Sequence, residues 1–487
     1  MTPPTSASNR RDLVDRKVAW LLFAFFFFLY LASAKGLLEH GDDVSMYQVT
    51  VAMVDRGQLS VPEATPGSRL SKDGRRYSKY GIGQSLLAVP LYVAGLALER
   101  LSPSQPAIRG DEGLLRASLP IFVTGLLGTL CTAATVALLF LVCRLLACSR
   151  RASLAAALAL GAGTFAWHYA RTFMSEPASM LALLATFYVL LRAQSGVRAW
   201  LLASGALAGL AVLVRGANLV AVAPLGLWVL WDAWRAEGRL RPVLKKVSVW
   251  AGPVCAALIG VGVYNYARFG SLGETGYSNE AREGFSSPLL VGLYGLLLSP
   301  GKSLFVYAPI LLTCPRGWGI LRRTHPGVFV VLAAIVTGQL LLHARWYMWW
   351  GGGTWGPRFL TIILPLLLVG LAVRLDQRVG RVQRVLLGAV ALVSVLVQVV
   401  SVAVPYVPYE AKMEATPAGF ARLLWNPADS PVLAHARSLL NHEFPLDFAW
   451  NLYGPWPVGA IEIAALLGCL VVGWRAVTLL RAKSRPS

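Results

Sequence analysis

Long apolar runs separated by short polar segments dominate this chain. Twelve stretches, at roughly 18–36, 115–142, 152–169, 176–191, 200–214, 218–234, 247–266, 303–320, 327–343, 359–373, 385–404 and 458–480, have about the length a helix needs to cross a bilayer core. The connecting segments alternate in character. One set, which includes NRRDLVDRK, CRLLACSRR, RAEGRLRPVLKK and RAKSRPS, holds about 24 Lys/Arg against about 5 acids, and the other about 20 against about 19. Basic loops stay cytoplasmic, so this asymmetry predicts that both termini lie inside and that the long loops 36–116, 268–302 and 405–457 lie outside.

Within the first long loop, SMYQVTVAMVDRG places Met46, Val49, Met53 and Val54 on one helical stripe, predicting a short amphipathic helix that ends near Gly57. The stretch YGIGQSLLAVPLYVAGLALERL is apolar but interrupted by Pro90 and glycines, and predicts a helix lying at the interface. Were it to cross, every later basic loop would face outward. The pattern predicts an all-α polytopic membrane protein of about 12 transmembrane helices, with interface helices in a large first outer loop. It divides into a cytoplasmic tail (1–17), a main transmembrane module (18–375) and C-terminal spans carrying the outer loop 405–457.

Composition agrees. Of 487 residues, 56% are hydrophobic and 14% charged, too apolar for a soluble globule. The net charge of +21 is accounted for by the topological asymmetry, which argues against a nucleic-acid surface. The cysteines Cys131, Cys143, Cys148, Cys255, Cys314 and Cys469 fall in spans or at cytoplasmic ends, without CxxC or zinc spacing, and imply no disulfide framework.

Candidate chemistry clusters in the outer segments. Asp42 and Asp43 follow the first span. A helix N-terminus favours one Asp as a cap, whereas two in a row also suit a general base or a divalent-cation site. In YSKYGIGQ, Lys79 stands before Tyr80 and either snorkels toward headgroups or meets a lipid phosphate. HYARTFMSEPASM puts Arg171 and Glu176 into a very short turn, where an ionisable group needs a partner or a role. Arg215 occupies a similar outer turn. NYARFGSLGETGYSNEAREGF offers Asn265, Arg268, Glu274 and Tyr277, and Lys302 follows a Ser-Pro-Gly turn. HARWYMWWGGGTWGPRF combines Trp346, Trp349, Trp350 and Trp355 with three glycines and Arg358. An aromatic belt explains the tryptophans alone. The bare glycine backbone favours a binding role, with Trp faces for a sugar ring and the Arg358 fork for phosphate.

Taken in order, the acidic pair, YSKYGIGQSLLAVPLY, RTFMSEPASM and WYMWWGGGTWGPRF resemble the GT-C membrane glycosyltransferases. The nearer likeness is to the bacterial branch similar to protein O-mannosyltransferases, the aminoarabinose transferase of lipid A and Rgt-type galacturonosyltransferases, over about residues 18–375. The resemblance implies a GT-C-type bundle in a bacterial-type plasma membrane. It implies transfer of a sugar from a polyprenyl-phosphate donor to a glycan, lipid or protein acceptor on the outer face, with inversion. It also implies that Asp42 is the base, that Asp43 stands where relatives often have Glu, that Lys79 matches a phosphate-contacting Lys, and that Glu176 matches an acidic position at a span end. No cofactor is indicated by the sequence, and whether a metal is needed stays open, since the adjacent Asp42 and Asp43 could hold a divalent cation. The competing expectations are a twelve-span transporter or flippase, which usually has repeated halves, and a non-catalytic polymer-export protein.

Overall fold

The computed structural model describes residues 6–102, 118–193, 197–277, 280 and 283–482. Residues 194–196 within one basic loop, the basic C-terminal segment 483–487, the first five residues of the N-terminal tail and part of the first long loop (103–117) lie outside the described residues. The chain begins with α1 (Ser6–Ala32), α2 (Gly41–Arg56) and three short strands, β1 (Ser60–Val61), β2 (Ser68–Leu70) and β3 (Arg76–Ser78). Then come α3 (Ile82–Leu101), α4 (Leu119–Leu145), α5 (Arg150–Gly163), α6 (Ala166–Ala170), α7 (Ser175–Ala193), α8 (Arg198–Val214), α9 (Leu219–Glu237) and α10 (Leu240–Phe269). The second half holds α11 (Leu289–Leu298), α12 (Leu304–Tyr307), α13 (Pro315–Thr324), α14 (Pro326–Arg345), α15 (Leu364–Leu375) and α16 (Arg381–Ala403). It closes with α17 (Val407–Glu414), α18 (Pro417–Trp425), α19 (Pro431–Leu440), α20 (Trp450–Tyr453) and α21 (Ala460–Ala482).

Among the described residues, nine helices are long and apolar enough to cross a membrane. Eight coincide with expected spans. The ninth, α3, is the segment expected at the interface, and its packing shows that it does not run through the bundle. Gln84 at its start donates to the Phe173 and Met174 carbonyls (2.9 and 3.2 Å), just before α7. Gly83 lies against the Val214 backbone at the end of α8. Further along, Gly95 packs on Pro120 and Glu99 accepts from the Leu119 amide at the start of α4 (3.1 Å). Both ends of α3 therefore sit at one end of the bundle.

Four further passes come from α1, the α5–α6 pair, α8 and residues 303–324, so the chain runs along the bundle twelve times among the described residues. In α1 the apolar part starts only after Lys17, which shortens it. The 303–320 span is not the continuous helix expected. It is broken into α12, a 3-10 turn (Pro309–Thr313) and α13, because Pro309 and Pro315 cannot supply interior helix donors. Serine caps start the buried helices. The Ser118 hydroxyl accepts from Ile121 N–H in α4, and Ser149 from Ala152 N–H in α5. Small residues permit close crossings, as where Gly209 of α8 meets the Pro253 carbonyl of α10.

The first long loop also contains a sheet that its sequence did not announce, in the order β1-β3-β2 and antiparallel throughout. Its β2–β3 turn is fastened by Asp73, which accepts from the Arg75 amide (3.0 Å) and from the Tyr77 hydroxyl (2.7 Å). The sheet delivers Lys79 and Tyr80 directly into the site, since both follow β3.

Candidate active site

The site forms where four distant stretches meet at the α3 end of the bundle. Asp42 lies in the first turn of α2, with its side chain 26% exposed. The Tyr80 hydroxyl donates to one carboxylate oxygen at 2.6 Å, and Arg358 Nη1 lies 3.0 Å from the other. Burial alone would raise the Asp42 carboxyl. The Arg358 guanidinium, the Tyr80 hydrogen bond and the more distant Lys79 and Arg215 outweigh it and hold the group below its ordinary value. Asp42 is thus a carboxylate at neutral pH, partly open and held on both oxygens.

Asp43, its neighbour on the helix, faces inward and is 1% exposed, with Oδ1 lacking a hydrogen-bond partner. Burial raises its carboxyl well above the usual range, and the nearby Asp42 and Glu176 add to this. Its surroundings therefore favour the neutral form. The two acids have opposite protonation preferences. Among the described residues no group of three or more His, Cys, Asp or Glu is arranged to hold a metal ion, and both Asp42 oxygens are already engaged, one by the Tyr80 hydroxyl and the other by the Arg358 ion pair. The residues present do not fit a divalent-cation site.

Arg358 links Asp42 to Glu176. Its Nε lies 3.9 Å from Glu176 Oε1, too far for a hydrogen bond, and is buried without an acceptor. Glu176 pairs more closely with Arg215 at 2.6 Å. Arg358 Nη1 also approaches the Met174 sulfur at 3.6 Å. The glycine run explains how this arginine is positioned. Gly351 (φ +85°) and Gly352 (φ +71°) adopt left-handed backbone, and a Cβ at Gly351 would sit 2.9 Å from the Arg358 stem. At Gly353 a side chain would collide with the Glu410 carboxylate.

The same loop is pinned from below by Lys302, which is fully buried. Its ammonium donates to the Gly352 carbonyl (3.0 Å), the Thr354 carbonyl and the Tyr406 hydroxyl (3.2 Å). Three protons meet three acceptors, so Lys302 is an internal anchor and not the free substrate contact expected. Trp355 is likewise enclosed, ringed by Tyr307 (4.9 Å), His435 (4.9 Å), Tyr406 (5.9 Å) and His168 (6.0 Å), and presents no open face to a sugar. Trp350 is only half-buried and packs edge-on against Phe420 at 5.2 Å.

Lys79 reaches the site end but is paired with Glu280 (2.7 Å), which also holds Arg69 (2.6 Å). Its ammonium lies 5.0 Å from the Tyr277 ring centroid and 5.4 Å from that of Tyr80. Arg268 acts behind it, donating to the Ser78 carbonyl and to Asn265 Oδ1 (2.6 Å). Arg171 is drawn away from Asp42. It donates to the carbonyls of Ser33 and Asp447 and lies 3.4 Å from the Asp447 carboxylate, which also pairs with Lys35 at 3.1 Å. Arg171 and Arg268 are thus internal supports rather than exposed substrate ligands. Sequence reasoning missed Glu280, Glu410 and Asp447, whose surroundings read as ordinary loop and surface helix.

The fold is that of a GT-C membrane glycosyltransferase. The Archaeoglobus fulgidus oligosaccharyltransferase in its apo form matches with a TM-score of 0.54 at 11% identity, over 84% of this chain and 59% of that one. The chain therefore spans less than two thirds of that enzyme's length. Residues 85–277, from α3 into the loop after α10, match the dolichyl-phosphate-mannose-protein mannosyltransferase family. The family match, over about 40% of the chain, and the shared fold make the chain similar to membrane glycosyltransferases of the GT-C class. ArnT from Cupriavidus metallidurans bound to undecaprenyl phosphate is also similar, at 14% identity over 97% of this chain and 77% of that one, with a TM-score of 0.49. No curated protein sequence matches.

Proposed function

We propose that the chain transfers a sugar from a polyprenyl-phosphate donor to an acceptor hydroxyl or amine on the extracytoplasmic face, with Asp42 as the base. The observation that carries this reading is the convergence of Asp42, Tyr80 and Arg358 at one end of the bundle. The family matched over 85–277 is named for a dolichyl-phosphate-linked mannose donor. A mobile carrier would present its phosphate at this depth, and Arg358 retains a buried Nε donor with no acceptor. Loop charge supports the side: the basic loops gather at the opposite end. An Ala64→Cys probe in the first long loop, labelled by an impermeant reagent in intact cells, tests that orientation. Labelling only after permeabilisation rejects it.

The step balances simply. Asp42 removes the acceptor proton as the acceptor oxygen or nitrogen bonds to the anomeric carbon. The anomeric C–O bond to phosphate breaks, and its electron pair leaves on the carrier phosphate. A single displacement inverts the anomeric centre. The phosphate is a good leaving group, so the protein supplies orientation, proton removal and charge stabilisation. Arg358 takes the developing charge, with Lys79 as the second cation once it exchanges Glu280 for phosphate. In the resting site Arg358 keeps Asp42 weakly basic. A donor phosphate that engages Arg358 relieves this and strengthens the base when the leaving group is in place. Tyr80 orients Asp42. Lys302, Arg171 and Arg268 hold the loops that carry the site, and Phe420, His435 and Asp447 from 405–457 lie against Trp350, Trp355 and Arg171. The test is transfer from purified polyprenyl-phosphate sugars to candidate acceptors, paired with glycolipid profiling of a deletion strain. Unaltered glycolipids and glycoproteins together with no transfer from any such donor would reject the reading.

A further inference from the structure

A second charged site lies at the opposite end of the bundle, about 27 Å from Arg358 if the 18-residue path Arg358–Leu375 is taken as helix. A cavity of about 820 Å³ opens there between α13 and the end of α15. Arg316, Gly319, Ile320 and Arg323 line it at i, i+3, i+4 and i+7, the spacing of one helical face. Arg374 in the last turn of α15, and Gln377 and Arg378 just beyond its end, line the other wall. The two helices are locked together beside it, because Gly317 packs on Gly370 and Trp318 Nε1 donates to the Leu367 carbonyl at 3.0 Å.

Four guanidinium groups thus face one space. Among the described residues none of the four has a carboxylate within ion-pair distance. Arg374, only 6% exposed, has the neutral Gln383 amide oxygen as partner at 2.6 Å. The neighbouring acid, Asp376, accepts instead from the Ser149 amide at 2.8 Å. A Cβ at Gly319 would have no heavy atom within 4 Å, so this wall is bare backbone facing open space. Arg316, Arg323 and Arg378 are exposed and Arg374 is buried, so the group sets a local positive potential that an anion entering the cavity would meet. The planar forks suit phosphate oxygens, and Ile320 gives the same cavity an apolar edge.

We propose that this cavity binds a phosphate-bearing anion, separate from the donor phosphate at the Asp42 end. Two sources share that chemistry, an anionic phospholipid headgroup in the adjoining leaflet and a soluble polyphosphate. Basic pockets between membrane helices are suited to the first. This assignment does not depend on the transfer reaction.

The test uses the purified full chain in detergent, titrated with dioctanoyl-phosphatidylglycerol, with dioctanoyl-phosphatidylcholine as the neutral control, and separately with inorganic pyrophosphate. The exposed pair Arg316→Gln/Arg378→Gln should weaken binding of the cognate probe about tenfold. The pair Arg322→Gln/Arg384→Gln, which removes the same charge outside the cavity, should change it less than twofold. Arg358→Gln should leave this component intact. Selective loss for phosphatidylglycerol identifies a lipid headgroup, and selective loss for pyrophosphate a soluble ligand. Equal losses from the two double variants would reduce the effect to general surface charge and overturn the proposal. Failure of the wild-type protein to bind either anion above the neutral lipid would do the same.

Discussion

Replacing Arg358 with Gln should damage donor binding and proton removal together. The guanidinium lies 3.0 Å from Asp42 and is mostly buried. At an effective dielectric near 20 that contact has a gross Coulomb energy of about 5 kcal/mol. Desolvation and the competing Glu176 contact reduce what a bound phosphate would gain to about 2–4 kcal/mol, or about 30- to 1000-fold in turnover on donor. The pH profile separates this from simple misfolding. In the wild-type protein the Asp42 carboxyl is held low, so its basic form persists down the acid range. Without Arg358, burial pushes that carboxyl upward. The acid limb of kcat/KM should then move to higher pH, with partial recovery of rate as pH is raised. Arg358→Lys restores charge but not the fork and should fall between the two. The assay is donor affinity at neutral pH together with kcat/KM across the pH range, on protein of normal melting temperature. Unchanged donor affinity with an unshifted acid limb would refute the reasoning.

Asp43→Asn should retain activity within about threefold, because Asn mimics the neutral carboxyl that burial favours; a loss as large as that from Asp42→Asn would show that its ionised form is used. Burial pushes the Glu410 carboxyl up to about 7 from an ordinary 4.5, so the folded form favours its protonated state; stability should fall as pH rises from 4.5 through about 7, and Glu410→Gln should flatten that slope in thermal melts. Gly353→Ala places a methyl against the Glu410 carboxylate and should cost about 1–3 kcal/mol of stability while weakening donor binding; an unchanged melting temperature would show that the loop yields freely.

Much of this architecture was legible in apolar periodicity. The twelve passes, the short helix after the first span and the placement of α3 at one end all follow from run length, loop charge and helix breakers. Meeting of Asp42, Lys79, Glu176 and Arg358 at one end was also foreseeable, since their segments share one side of the topology. Their partners were not. Glu280 and Glu410 reach the site from separate loops, and no local pattern marks which cation each acid will meet. The same limit hid the roles of Lys302 and Trp355, because a residue at a span mouth looks alike whether it faces substrate or a loop carbonyl. Strands of two or three residues are too short for an alternating signal, so the small sheet escaped notice. The break in 303–320 is written in Pro309 and Pro315, inside a run whose apolar content alone looks like one continuous span.

The central claim is that Asp42 takes the acceptor proton. Single-turnover transfer by Asp42→Asn, with a polyprenyl-phosphate sugar already bound, tests it most directly. The substitution keeps size and one acceptor oxygen, so folding should be preserved, and donor affinity should not fall. Transfer should drop about 10²–10⁴-fold, the range for loss of a general base. Near-normal transfer by the folded variant would contradict the account and leave the pair as a hydrated helix start, with Glu176 the next candidate for the base.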